Sequence, residues 1–433
     1  MGKFGFKTVR DIDLKGKRVL LRADYNVPLD GSNKITSDYR IKMSLPTIQY
    51  LLDKNCSVVI CSHLGRPKAF GDPKTSLEPV AKRLAKLLDQ PVKFVSDCVG
   101  DEVRESCSKL ARGEVLLLEN LRYYKEEEEN DTAFAKKLVE ATDAQVFVQD
   151  GFGVVHRAHA STSAVTKLLP SVAGLLLERE VTTLEGIIDK PQKPLLAIIG
   201  GAKISDKITI IEKFISLADA VVIGGAMANT FLKSEGVEVG DSLYDKEDLP
   251  LARKIIAAAR KETAKRKFVF YLPQDGVVAK KLDSKSPTRI VDWDAHVIAS
   301  VESYPNKPKR SSAIVAEDEK ILDIGPFSGA FIAGLIQLSS TVLWNGTMGV
   351  TEVVGVQGPV GPFAHGSEVV IEALLGEFGC KPFSVIGGGD TTAYVEERDL
   401  TAQFGHVSTG GGASLEVLSG NKLPGVVSLQ KKR

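Results

Sequence analysis

Long apolar runs are missing from this 433-residue sequence. None approaches the roughly 20 residues that a membrane-spanning helix needs, so no membrane partner is expected. A surplus of charge is missing too: 56 Lys and Arg stand against 55 Asp and Glu, a net +1. Dedicated nucleic-acid binders carry a strong basic excess, so no nucleic-acid partner is expected and any anion site must be local. Cysteine is scarce. The five (Cys56, Cys61, Cys98, Cys107, Cys380) are odd in number and form no CxxC pair, which argues against a disulfide framework and against zinc spacing. All five read as reduced thiols filling core space. The first residues, Met1 to Phe6, lack the apolar stretch of a secretory leader, and Phe6 stands where myristoylation needs Ser or Thr. A cytoplasmic location is the expectation. Two nucleotide signatures are also absent. No GxxxxGK[ST] occurs, which excludes a P-loop enzyme. No GxGxxG occurs either, which weighs against a dinucleotide dehydrogenase.

What is present is a regular alternation. Short apolar runs recur at Val19–Leu21, Val58–Ile60, Val115–Leu118, Val146–Val148, Leu195–Ile199, Val221–Ile223, Phe268–Tyr271, Val342–Trp344 and Phe383–Ile386. Runs so short and continuous fit strands buried on both faces. Helical periodicity lies between them. Val80, Leu84, Leu87 and Leu88 follow Ser76 as a candidate cap, and Phe134, Leu138 and Val139 follow Asp131. The pattern predicts an α/β fold of doubly wound parallel sheets. The length exceeds one core at about 150 residues per domain. The Pro-rich stretch Lys190 to Pro194 marks a boundary, preceded by one long helix expected over 171–189. The domains are therefore expected at 1–189 and 190–405. The acidic run Glu126–Glu129 reads as a solvated loop or helix start.

Ligands of open parallel sheets bind beyond the carboxyl ends of the strands. In the first half those positions carry Asp24 and Asn26, Ser62, His63, Gly65 and Arg66, Glu119, Asn120 and Arg122, then His156, Arg157 and His159, with Arg40 just beyond the first. The planar fork of arginine suits phosphate and carboxylate oxygens, so the set predicts a small polyanion. In the second half they carry glycine: Gly200-Gly201 before Lys203 and Lys207, Gly224-Gly225, Asn345-Gly346, Gly387 to Gly389 before Asp390 and Thr391, and Gly410 to Gly412. Glycine admits phosphate close to the backbone, and the following helix N-terminus favours its charge. Tight turns explain one such pair; the repetition beside Lys203 and Asp390 favours a nucleotide.

The segments RADYNVP, SHLGRP, ENLR, HRAH, GGAKISDK, GGAMANTFL, WNG, GGGDT and HVSTGGGAS resemble phosphoglycerate kinase, in that family's order, from about residue 8 to the end. The resemblance implies two Rossmann-like domains joined by a helix, with the segment 406–433 returning to the first. It implies reversible phosphoryl transfer between 1,3-bisphosphoglycerate and ADP, giving 3-phosphoglycerate and ATP, with Mg2+, in a monomer. By motif, Asp24, Asn26, Arg40, His63, Arg66, Arg122 and Arg157 would bind the glycerate substrate. Gly201, Lys203, Lys207, Gly225, Asn345, Glu352, Gly387, Gly388, Gly389, Asp390 and Thr391 would bind nucleotide, with Asp390 on the metal and Glu352 on the ribose. Arg40, Lys203, Lys207, Gly388 and Gly411 would be catalytic. The chain departs from the family in Gln149-Asp-Gly-Phe-Gly, in Val154, in Thr347 and Thr351 around Trp344-Asn-Gly, and in an insertion at 353–359.

The acceptor of that reaction is a carboxylate, ionised above about pH 4, so no general base is required. Positioning and charge neutralisation remain, and hinge closure would bring the ligands together. A helix starting near Ile204 would bring Lys207 to the same side as Lys203. Asp390 could serve magnesium or cap its helix. Two other readings stand beside this one: an NAD-dependent dehydrogenase, against which the missing GxGxxG counts, and an inactive binding protein on the same scaffold.

Overall fold

The molecule was analysed as a computed structural model, which describes residues 5–293, 314–356 and 360–431. The chain divides into two compact units, Met1–Gly186 with Thr409–Arg433, and Ile187–Ser408.

The first unit is built on six parallel strands: β1 (Arg18–Arg22), β2 (Ser57–Cys61), β3 (Val92–Val95), β4 (Val115–Leu118), β5 (Val146–Gln149) and β6 (Ser171–Ala173). Their order is β3-β4-β2-β1-β5-β6. The apolar runs are unbroken because both faces are covered. Val19, Leu21, Val58, Ile60, Val115 and Leu117 enter one core, while Leu20, Val59, Leu116, Leu118 and Phe147 enter the other. That is the period of two expected for a strand buried on both sides.

The second unit holds β7 (Leu195–Ile199), β8 (Ala220–Ile223), β9 (Val269–Tyr271), β10 (Asp275–Ala279), β11 (Thr288–Asp292), β12 (Lys320–Ile324), β13 (Thr341–Asn345), β14 (Phe383–Gly387) and β15 (His406–Val407). Six of them form a parallel sheet, β15-β14-β13-β7-β8-β9; the other three form a small antiparallel sheet, β11-β10-β12. The fold is α/β with two Rossmann-like units. The antiparallel sheet is an addition that the apolar runs do not announce, since Thr288–Asp292 is largely exposed.

Several local readings are corrected. The helix expected over 171–189 begins at Leu175, because Ser171–Ala173 pairs with Phe147–Gln149 as an edge strand. The cap expected from Asp131 is present, its carboxylate accepting from the Phe134 amide at 2.6 Å. Ser76 lies one residue too early: Leu77 takes the cap position, and the Ser76 hydroxyl donates to Glu119. Cys380 is exposed, whereas the other four cysteines are buried. Among the described residues no helix is long and apolar enough to cross a membrane.

Buried carboxylates at strand ends anchor neighbouring helices. Asp150, after β5, accepts from the amides of Leu176 and Leu177 in helix Leu175–Asp189. Asp275, opening β10, accepts from Phe327 and Ser328 in helix Pro326–Gln337. Asp323 in β12 accepts from Gly366 in helix His365–Leu375. Each satisfies amides that a helix start leaves open, so these helix starts are held by the strand ends beside them.

Candidate active site

In the first unit β4, β2, β1 and β5 are adjacent and parallel, so their carboxyl ends share one edge of the sheet. Asp24 lies just after β1, its carboxylate 3.1 Å from Arg40 Nη1 through either oxygen and accepting from the Asn26 amide. Burial opposes its ionisation, but the neighbouring charges, Arg40 first among them, together with the Asn26 amide outweigh it and hold Asp24 down at about 2. Arg40 also donates to the Asn26 carbonyl, at 3.2 Å. The Asn26 side chain accepts from Gly65 N at 2.8 Å, which ties the end of β1 to the segment after β2. Arg122 donates to the Gly65 carbonyl at 2.9 Å and lies 3.1 Å from Glu128. His63 is buried among these groups. Burial, with Arg22, Arg122 and Arg40, pushes its imidazole well below the usual value, against the pull of Asp24.

The contacts thus bring together Asp24, Asn26, Arg40, His63 and Arg122. Arg157 joins through its charge, which acts on Arg122; its Nε donates to His156 Nε2 at 3.1 Å. Arg66 stands exposed beside Gly65. Arg22, at the end of β1, is fully buried and turned inward. Gly411 opens helix Gly411–Leu418, and just before it Thr409 donates through its amide and hydroxyl to Glu180 at 2.6 and 2.8 Å.

The acidic run corrects the sequence reading. Residues Lys125–Glu128 form one helical turn, and Glu127 is fully buried rather than solvated. It accepts from both the amide and the hydroxyl of Ser161. Burial raises its carboxyl despite Arg22 and those bonds. Composition gives no means of telling Glu127 from its exposed neighbours; only the length of the turn decides which of them faces inward.

In the second unit the glycines divide into two kinds. Some let the loops lie against one another. Gly346, with φ +105°, would set a Cβ 2.3 Å from the Gly200 carbonyl carbon, and Gly225, with φ +64°, would set one 2.6 Å from Gly201 N. Those positions serve packing between loops, which is the tight-turn reading. Gly389 is different: a Cβ there meets nothing within 4 Å among the described residues. Together with Gly387 and Gly388 it leads into helix Gly389–Glu397, whose first turn carries the exposed Asp390. Asp390 does not cap that helix, since Gly388 holds the cap position. The Thr391 hydroxyl is buried and accepts from Gly346 N at 2.7 Å.

The two lysines diverge. The helix after β7 starts at Ile208 rather than near Ile204, so Lys207 sits at its cap and not one turn along it. Its ammonium donates to the Gly200 carbonyl at 2.5 Å, the Asn345 carbonyl at 3.0 Å and Asn345 Oδ1 at 2.7 Å. All three of its protons are thereby engaged. Burial lowers its pKa to about 8, partly offset by Asp390. Asn345 is buried, and its Nδ2 has no partner among the described residues. Lys203 is exposed, 3.6 Å from Asp245. A cavity of about 330 Å³ is lined by Gly201, Gly225, Glu352 and Asp390, with Leu322 and Trp293 among its apolar walls. Of the insertion at 353–359, residues 357–359 lie outside the described residues. Val354 and Val356 are exposed, and Gly361 sits tightly against the Val353 carbonyl.

A family model described as phosphoglycerate kinase matches residues 9–421. A phosphoglycerate kinase of Dictyoglomus turgidum is 44% identical over 432 residues, covering all of both chains. A cytosolic phosphoglycerate kinase of Triticum aestivum is 45% identical and covers 98% of each chain. Among solved structures, phosphoglycerate kinase from Coxiella burnetii superimposes with a TM-score of 0.78 at 34% identity, and that from Pyrococcus horikoshii with 0.79 at 29%. Each covers 98% of both chains.

Proposed function

The chain belongs to the phosphoglycerate kinase family, and from that premise we propose that it transfers a phosphoryl group reversibly between 1,3-bisphosphoglycerate and ADP, giving 3-phosphoglycerate and ATP. The observation that carries this reading is the meeting of Arg40, His63 and Arg122 with Asp24 and Asn26 at one strand-end edge. It is a site rich in donors, and its histidine is held neutral. Such a site binds a small anion and activates nothing by proton removal. That suits a carboxylate acceptor, which is ionised already.

The glycerate substrate is assigned to the first unit, through Asp24, Asn26, Arg40, His63, Arg66, Arg122 and Arg157. The nucleotide is assigned to the second, with its phosphates over Gly387–Gly389 and Asn345 and its ribose towards Glu352. We assign the domains to 1–189 with the returning segment 406–433 and to 190–405, and closure about helix Leu175–Asp189 would bring Arg40 and Lys203 to the moving group and exclude water. Lys203 is the exposed one of the two lysines. Lys207 supplies charge beneath the cradle. Gly388 and Gly411 give backbone amides close approach to the transferring group.

Magnesium fits this donor set. Among the described residues no three His, Cys, Asp or Glu cluster into a protein-only cage, and Asp390 is one exposed carboxylate beside an open glycine. One carboxylate plus phosphate oxygens and water is the usual magnesium arrangement. When bound it would neutralise phosphate charge. Monomeric state and a cytoplasmic location complete the reading. The deciding experiment is a coupled assay of ADP formation from ATP. Formation that depends on 3-phosphoglycerate and magnesium is expected. ATP turnover indifferent to 3-phosphoglycerate, or none, would reject the assignment.

A further inference from the structure

Behind the anion-facing edge of the first unit lies a chain of buried polar groups that cannot touch a substrate. Arg22, Glu127 and Ser161 are all fully buried. Arg22 Nε donates to Ser161 Oγ at 2.8 Å, and Nη1 donates to the Ala23 carbonyl at 2.7 Å. Ser161 passes the contact on, its hydroxyl donating to Glu127 Oε1 at 2.5 Å and its amide to Oε2 at 2.9 Å. The Arg22 and Glu127 charges lie 3.8 Å apart. The remaining arm of the fork, Nη2, lies 3.1 Å from His63 Nδ1.

A guanidinium has only protons to offer and does not lose them near neutrality. The nitrogen facing it must therefore be the lone-pair nitrogen of His63, and the ring proton must sit on Nε2. A second proton on Nδ1 would set one N–H against another, beside a full positive charge. The groups that face His63 agree: Arg22 from β1, Arg122 after β4 and Arg40 from helix Tyr39–Asp53 all oppose its protonation, and Asp24 alone favours it. Left unpaired, the Arg22 charge would be costly in so dry a place; Glu127 offsets it.

We propose that Arg22 and Glu127 are positioning residues that lock His63 as a neutral imidazole with its proton on Nε2, a fixed hydrogen-bond donor to the anionic substrate. A histidine held this way binds anion without a pH-dependent charge of its own. The proposal rests on the functional reading only for the substrate's identity.

The test has two parts on the full chain. Nitrogen-15 spectra of histidine-labelled protein, with His63 assigned by comparison with His63→Gln, should show an unprotonated Nδ1 and a protonated Nε2, with no titration between about pH 5 and 8. A proton on Nδ1, or titration in that window, overturns the proposal. The double variant Arg22→Met/Glu127→Leu removes the pair together, so neither charge is left buried alone. In it His63 should titrate in the same window, and the KM for 3-phosphoglycerate should rise about tenfold, as for one lost hydrogen bond to an ion. That KM should become pH-dependent while the KM for ATP stays unchanged. An unaltered pH profile in a folded double variant overturns the proposal. If that variant does not fold, the wild-type spectrum still decides. Failure of the functional reading would appear separately, as wild-type enzyme that forms no ADP with 3-phosphoglycerate.

Discussion

Arg40 is only half-buried, and its bonds to Asp24 and Asn26 run through one terminal nitrogen, Nη1. Its partner Asp24 is buried, so Arg40 helps hold that carboxylate ionised, but an ion pair by itself gives Arg40 no part in the rate. Cations set against the equatorial oxygens of a transferring phosphoryl group stabilise the transition state above the ground state. Arg40→Ala should therefore lower kcat by about a thousandfold, in the range of arginine fingers, while ADP affinity stays unchanged. Steady-state kinetics and a thermal melt check this; a folded variant keeping more than about a tenth of wild-type kcat removes Arg40 from the mechanism. Asp24 makes the complementary case for stability. Its folded pKa is lowered to about 2 from 3.8, so its contribution is present above the unfolded value and is lost as pH falls through the folded one. Wild type should lose on the order of 2 kcal/mol between those two values, and Asp24→Asn should lack that component in denaturant melts run down the pH scale. At this scale the sequence marked the cations by their place after apolar runs. It could not show that Glu127 turns inward, because side-chain direction depends on which neighbouring segment supplies a partner.

The loop from β7 to helix Ile208–Leu217 shows what a single element can do. Lys207 binds the carbonyls that end β7 and β13, so one ammonium joins two glycine-bearing turns. Its bond to Asn345 Oδ1 fixes the amide, leaving Nδ2 as the free donor. The pKa of Lys207 is lowered from 10.5 to about 8. Its charge thus costs stability below the folded value, and the cost is relieved as pH climbs towards the unfolded one. An incoming phosphate reverses that bias. Nucleotide binding near pH 8 should take up about half a proton, and binding near about pH 6 should take up none. Calorimetry in buffers of different ionisation enthalpy measures this directly. Absence of uptake near pH 8, or uptake surviving in Lys207→Met, would show that the phosphates lie elsewhere. Most strands of the two parallel sheets were legible because burial on two faces leaves an unbroken apolar run, although half-exposed β3 and the two-residue β15 were missed. β6 was missed too, since Ser171–Ala173 at a sheet edge has too few residues to separate it from the helix that follows. β10 to β12 pair antiparallel around a three-residue core of Val278, Val291 and Val315, too small to impose a pattern.

The chain's last segment decides how the two units depend on each other for folding. Thr409–Arg433 belongs with the first unit, although it follows the whole of the second in sequence. Lys7 N donates to the Gln430 carbonyl, Gln430 N to Ser171, and Gly425 N to Val155. Val417, Leu418, Leu423, Val426 and Leu429 are all buried. At about 1.5–3 kcal/mol for each buried side chain, their loss is on the order of 10 kcal/mol, comparable to the whole stability of a domain. The second unit keeps β15 when the chain ends at Ser408 and loses none of its sheet. A protein truncated after Ser408 should therefore lose amide protection throughout β1, β2, β4 and β5 while retaining it in β7, β13 and β14. It should still bind ADP and no longer bind 3-phosphoglycerate. Hydrogen exchange resolved by peptide, with calorimetry for each ligand, reads both outcomes. Uniform loss of protection across both units would mean that they fold as one cooperative body. Retained protection in β1 and β5 would mean that the returning segment is a surface strap whose side chains the first unit can do without.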